Sequence, residues 1–196
     1  LAFLRYNRTM IKRYSKVSEL VKTAYTSSKE DFAQWIWANH LPLVANKAEE
    51  LSQKYDANPD IAVAAAWLHD FGDAFTNRHT DKHEELSKNE AVKVLQKCNY
   101  TAKEIFYITE EVIGPHSCKD GYLPNTVEGK ILATADSLAH LNSDLYVQFA
   151  WKHLPENKNY QEYLIWFAEK LERDFHIKIF FEEERIAAQY RYESLK

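Results

Sequence analysis

Residues that let a backbone reverse sharply are scarce in this chain. Four glycines and five prolines in 196 residues are too few to punctuate a fold of many short strands and tight turns. Thiols are scarcer still. Cys98 and Cys118 stand in no metal-knuckle spacing, and a chain of this length buries enough core to fold without a disulfide, so a reducing, cytoplasmic setting is expected. No uncharged apolar run reaches about 18 residues, the length that would span a bilayer. The amino end also has no apolar stretch leading to a small-residue cleavage site, so membrane insertion and export are not expected. Neither charge dominates: 25 Lys and Arg against 29 Asp and Glu give a net charge of -4. That balance does not draw in a polyanion at long range, so a nucleic-acid polymer is not an expected partner. Repeats, linkers and low-complexity segments are missing too. Met10 is the only methionine, and residues 1–9 are expected to lie upstream of a single domain spanning 10–196.

Apolar residues make up 45% of the chain and aromatics 14%, enough for one substantial core, and the pattern predicts an all-α, single-domain helical bundle. Ser27 with Glu30, Ser87 with Glu90, and Thr101 with Glu104 fit the Ser/Thr-x-x-Glu box, in which a short side chain and a later acid satisfy orphan backbone donors. Asn125 with Glu128 and Asn159 with Glu162 are looser versions. Asn58 and Pro59 announce a further helix, with Asp60 in the turn where the helix dipole favours an anion, and this helix should end near Gly72. Residues 27–55 read as helical, with Pro42 joining two pieces. Segments 73–86 and 114–125 break the pattern and are expected as loops rimming a site. From Tyr146 to Tyr192 the chain reads as helical and aromatic, as core or as a subunit interface, which leaves a homodimer open. The acidic run Glu182, Glu183, Glu184 reads as a solvated helix face.

The segment AAAWLHDFGD, residues 64–73, is where chemistry concentrates: an almost wholly apolar helix delivers His69 and Asp70 just before a glycine. A buried imidazole and carboxylate need hydrogen bonds or a cation, and one metal ion satisfies both. Taken alone, the pair also fits a plainer account, an Asp capping its helix beside a His bonded to a carbonyl. His40 projects from the same stripe as Val44 and Ala48, and Asp136 interrupts the apolar surface of Ile131, Leu132, Ala135, Leu138 and Ala139. Four such groups on inward faces point to a shared ion. Imidazole nitrogen with carboxylate oxygen suits manganese, iron, magnesium, cobalt or nickel, and the absence of thiolates speaks against a structural zinc.

The order His, then His-Asp after an alanine-rich helix, then a distant Asp resembles the HD superfamily of metal-dependent phosphohydrolases over roughly residues 27–145. The phrases AWLHDFGD, HEELSKNEAVKVL, IGPHSCKD and EGKILATADSLAHL are similar to its small, single-domain members. The resemblance implies a compact helical bundle with a motif core at 27–145 and C-terminal helices at 146–192. It also implies that His40, His69, Asp70 and Asp136 are metal ligands. Some members add two histidines for a second ion, so His83 and His116 are candidates, one or two ions being expected. Otherwise His83 is a loop residue that binds phosphate and His116 a helix-end cap. His79 reads as outside the ligand set, His140 as a core or surface residue able to orient Asp136, and His153 and His176 as ordinary helix residues.

The activity so implied is hydrolysis of a small phosphate ester or nucleotide by a metal-activated water. Arg78, Lys82 and Lys119 on the rim loops are the candidates for binding the phosphate, though each is also an ordinary surface charge. Asp70 and Asp73 are the candidate catalytic carboxylates, with Asp73 holding the water, passing a proton or simply capping a turn. Two rival readings stand beside this one: a di-iron oxygenase on the same scaffold, and a regulatory domain that binds metal or nucleotide without turnover.

Overall fold

The computed structural model describes residues 12–76, 83–153 and 159–196, apart from the side chains of 151–153. Arg78, His79 and Lys82, residues 1–9 and the side chain of His153 therefore lie outside the described residues. Among those described, no strand occurs and ten α-helices follow one another. They are α1 (Arg13–Thr26), α2 (Ala33–Asn39), α3 (Leu41–Lys54), α4 (Pro59–Leu68), α5 (His83–Lys97), α6 (Ala102–Phe106), α7 (Val127–Asn142), α8 (Leu145–His153), α9 (Tyr160–Glu172) and α10 (Glu182–Leu195). Tight 3-10 turns occupy Phe71–Ala74 and Lys119–Gly121, and wide π turns occupy Tyr107–Ile113 and Arg173–Ile177. No described helix is long and apolar enough to cross a membrane.

Several starts follow the expected caps. Asn58 accepts from the Asp60 N–H at 3.0 Å, Thr101 and Glu104 form a reciprocal capping box, and Asn159 accepts from the Glu162 N–H at 2.9 Å. Others differ. The Ser28 hydroxyl accepts from the Glu30 N–H, and this local bond holds a non-helical link, so that α2 begins only at Ala33 and Ser27 closes α1 instead of starting a helix. Ser87 lies fully buried inside α5, where its hydroxyl accepts the Gly72 N–H at 2.8 Å, and residues 83–86 are helix, not loop. Thr126, not Asn125, caps α7. The helix expected to reach Gly72 stops at Leu68, and a 3-10 turn follows. Glu184 departs from the solvated reading of its run: it is buried and paired with Lys54 at 2.8 Å.

Helices α4 and α7 lie at the centre because nearly all their faces are apolar or small. In α4 the alanines Ala62, Ala64, Ala65 and Ala66 are fully buried, letting α1, α3 and α7 approach closely. Helix α7 buries thirteen of its sixteen residues and serves two hydrophobic clusters. Ile131, Leu132 and Ala135 join the larger one with α1–α6. Leu138 and Leu141 join a smaller one with Tyr146, Phe149, Leu171, Phe175 and Tyr192. Asp136 and His140 therefore fall at the seam between the two. Between α2 and α3 the break falls at His40 itself (φ -121°, ψ -64°), because Pro42 has no N–H to continue a helix.

Gly72 is required by close approach: a Cβ there would stand 2.5 Å from the His83 carbonyl oxygen. Gly72→Ala should therefore push α5 away from the dyad and cost about 1–3 kcal/mol, read as a lower denaturant midpoint; an unchanged midpoint would show that the turn can yield. A second expectation concerns acid. Arg13 bridges Asp60 and Glu104, both at 2.6 Å, and Arg13 holds Glu104 down at about 2. A depressed carboxylate gives stability that is complete above its unfolded pKa and is lost as pH falls toward its folded one. Because the pair is partly exposed, its worth is at most about 1 kcal/mol. Glu104→Gln should flatten the stability profile between about pH 4.5 and 2 and change little at neutral pH beyond that amount.

Candidate metal centre

Each inward side chain is aimed by its own element. His69 follows the last residue of α4, and its Nδ1–H donates to the Ala66 carbonyl at 2.8 Å. His116 follows the π turn at 107–113 and uses Nδ1 in the same way on Ile113, at 2.6 Å. With Nδ1 occupied, each ring turns Nε2 inward as the lone-pair nitrogen. Tyr25 donates its hydroxyl to the Asp70 carbonyl at 2.6 Å, which pins the backbone of the dyad. Asp136 and His140 stand one turn apart on α7.

These groups converge. His40 Nε2 lies 3.2 Å from His69 Nε2, 3.2 Å from Asp136 Oδ1 and 3.8 Å from Asp70 Oδ2. His69 Nε2 lies 3.4 Å from Asp70 Oδ2 and 3.5 Å from Asp136 Oδ1, and His140 Nε2 is 3.0 Å from that same oxygen. Yet Asp136 Oδ1 is buried without a properly directed hydrogen bond, and so is His40 Nδ1. Nitrogens and oxygens packed this closely, short of protons to share, fit a cation at their centre. Among the described residues, three overlapping sets have donor atoms all within 4.8 Å of one another: His40, His69 and Asp70; His40, Asp136 and His140; and His69, His116 and Asp136. Nitrogen and oxygen donors bound at about 2.0–2.2 Å fit that spread.

The electrostatics point the same way. Burial, reinforced by the neighbouring imidazoles, pulls His40 down to about 4, and burial beside His69 does the same to His116. Both stay neutral, as ligands must. Burial also works against a charge on His69, but Asp70 and Asp136 outweigh it and raise its pKa. Asp136 titrates well below the usual carboxylate range: burial opposes its charge, and His140 and Lys178 more than offset that.

An outer layer comes from the C-terminal helices. Lys178 donates to Asp136 Oδ2, so that carboxylate turns its other oxygen toward the imidazoles. Asp174, fully buried, lies 3.0 Å from His140 Nδ1 and accepts from Tyr146 at 2.7 Å and Lys170 at 2.9 Å. Burial pushes Lys170 down to about 8 while Asp174 resists. Sequence reasoning missed Lys170, Asp174 and Lys178, and it read His140 as a core or surface residue able to orient Asp136 but not as a donor. Their signal was present, since Lys170, Asp174 and Lys178 recur every fourth residue on one helical face, and His140 follows Asp136 by four. His176, by contrast, lies 3.1 Å from the Tyr192 hydroxyl, away from this cluster.

A cavity of about 180 Å³ opens above the cluster, with Asp70, His116, Asp136 and His140 in its floor. Lys119, Lys170, Arg173 and Lys178 line its walls, as do Phe149 and Trp166. Of the expected residues, His83 lines this cavity from the start of α5, half-buried, and belongs to none of the three donor sets. Lys119 lines it too, paired with Glu84 at 2.7 Å. Asp73 is buried in the 3-10 turn after the dyad and is not part of the cavity lining.

The model of the HD domain family matches residues 37–141, and the chain belongs to that family. The protein known as YpgQ from Bacillus subtilis has the same fold. Its selenomethionine form superposes with a TM-score of 0.66 at 21% identity over 93% of this chain and 90% of that one. Its unlabelled form gives 0.65 at 20% identity over 93% and 89%. No curated protein matches. The family match ends one residue past His140, so Lys170, Arg173, Asp174 and Lys178 lie beyond it.

Lys178→Met should lower the stability of the metal-free protein by about 3–5 kcal/mol, because Asp136 and Asp174 would lose a buried counter-charge. Thermal unfolding after chelation measures this, and an unchanged midpoint would mean that the ammonium contributes nothing to the fold.

Proposed function

We propose that the chain is a metal-dependent phosphohydrolase that cleaves a small phosphate ester, a nucleotide being within the class, with water as nucleophile. The observation that carries this reading is Asp136 Oδ1, poised 3.0–3.5 Å from the Nε2 atoms of His40, His69 and His140 on the floor of a cation-walled cavity. His40, His69, Asp70 and Asp136 would hold one ion, and His116 and His140 supply donors for a second. Bound there, a divalent ion acidifies a water and polarises a phosphoryl oxygen.

The protein's own groups do the rest. His40 and His116 keep their lone pairs because desolvation keeps them neutral. Lys178 holds one Asp136 oxygen and so fixes the orientation of the other. Asp70 lines the cavity, which supports giving it the proton of the attacking water. Asp73 does not reach that space, so this role falls to Asp70. Lys119, at the rim, offsets charge on the phosphoryl oxygens, and Arg78 and Lys82 keep the same proposed role.

Phosphate release from a panel of esters and nucleotides tests the reading, using protein stripped of metal and reloaded with manganese, cobalt, nickel, magnesium or iron. Release should require metal and fall about a thousandfold, some 4 kcal/mol in barrier, in Asp136→Ala and His69→Ala, which should also bind substoichiometric metal. Finding no metal-dependent release from any substrate, or oxygen uptake by the iron-loaded protein in its place, would overturn it.

A further inference from the structure

Among the described residues, four lysine and arginine side chains line the cavity, and three already have carboxylate partners. Lys178 is bonded to Asp136, Lys170 to Asp174 at 2.9 Å and Lys119 to Glu84 at 2.7 Å. Arg173 is the exception. Among the described residues no carboxylate pairs with it, and its Nε is buried without a hydrogen-bond partner. A guanidinium carries five donors and cannot shed its charge, so leaving it part-buried and unpaired beside a cavity is costly unless something else supplies the acceptors.

Its placement follows from the backbone. The α-helical spacing of α9 ends at Glu172, and the chain widens into the π turn Arg173–Ile177. Such single-turn expansions re-aim side chains and recur at functional sites. Here two adjacent residues separate: Asp174 enters the buried layer behind His140, while Arg173 faces the cavity that has Asp70, His116 and Asp136 in its floor.

We propose that Arg173 is the residue that binds the substrate's oxyanion, gripping two oxygens of a phosphoryl group and positioning it over the metal donors. The planar fork of a guanidinium matches paired phosphate oxygens, which a lysine cannot do. Lys119 and Lys170, already engaged, add field but not grip. The assignment of a phosphoryl group rests on the phosphohydrolase reading; the capture of an oxyanion by Arg173 does not.

The experiment is therefore split. Inorganic phosphate binding to the full chain is measured by calorimetry, with and without manganese, for the wild type, Arg173→Gln and Arg173→Lys, alongside metal content and thermal midpoint. Arg173→Gln should weaken phosphate at least tenfold with metal stoichiometry intact, and Arg173→Lys should recover only part of the loss. On any ester the wild type turns over, Arg173→Gln should raise KM and lower kcat/KM tenfold to a hundredfold at full metal content. Equal phosphate affinity in the wild type and Arg173→Gln would overturn the proposal, as would loss of metal in parallel with phosphate. Should Arg173→Gln fail to fold, Arg173→Lys decides, full wild-type affinity there ruling out a two-oxygen grip. If the wild type hydrolyses nothing, the functional reading fails, yet the phosphate titration still decides the role of Arg173.

Discussion

Everything in this molecule is arranged around the cost of keeping the Asp136 carboxylate ionised out of water. It is buried, in the middle of the most enclosed helix, and a charge there persists only if partners surround it on several sides. One side is Lys178, from beyond the family-matched region. The other is the imidazole cluster, where burial keeps His40 and His116 neutral and so leaves lone pairs beside the carboxylate. Three buried carboxylates, Asp70, Asp136 and Asp174, meet two ammoniums, the buried Lys178 and the part-buried Lys170. The innermost region is thus short of positive charge, and a divalent ion would reverse its sign. A site with its ion becomes attractive to an anion; without it, the same site repels one.

The two hydrophobic clusters explain why such a site forms where it does. Polar groups cannot be buried in the middle of a well-packed core without displacing apolar contacts, but at a seam they replace only poor ones. Helix α7 runs along that seam. Its alanines and Gly129 admit close neighbours on one side, where a Cβ on Gly129 would stand 2.8 Å from Pro124, and its carboxyl end turns Leu138 and Leu141 toward the second cluster. Asp136 and His140 take the positions in between. The π turn at 107–113 delivers His116 to the same place, and the one at 173–177 delivers Asp174, so both departures from α-helical spacing serve the site.

How much of this can be read from residues alone depends on whether the signal is local. Asn58-Pro59 and the Thr101–Glu104 box act within one turn, and both are formed as read. The wholly apolar run of α4 leaves no solvated face, so His69 and Asp70 at its end had to be inside, and His40 and Asp136 were legible as polar breaks in apolar stripes. Ser27 and Ser87 misled because a serine followed by a glutamate satisfies the box on paper, whereas here Ser28 prefers its own local bond and Ser87 serves Gly72 across a helix pair. Only tertiary packing decides such a choice. The Lys170, Asp174, Lys178 ladder had the spacing of an exposed ion-pair row, and only its burial against His140 and Asp136 makes it part of the site.

That ladder bears on how selectivity can be distributed along the chain. The groups able to hold an ion, His40, His69, Asp70, Asp136, His116 and His140, fall inside the family-matched stretch, while Phe149, Trp166, Lys170, Arg173 and Lys178 on the cavity wall fall outside it. In the proposed phosphohydrolase, inner groups would set which ion binds and how a water is activated, and these demands would be the same for any ester. Wall groups would meet the remainder of the proposed substrate, where binding energy distinguishes one ester from another. On that reading, much of the wall, in α8, α9 and the turn that follows, could change with the substrate while the ion chemistry stayed fixed, although His83 and Lys119 line the cavity from within the matched stretch. The coupling through Lys178 limits that freedom, because it holds Asp136 and lines the wall at once: replacing it changes the wall and removes the counter-charge that keeps the inner carboxylate ionised.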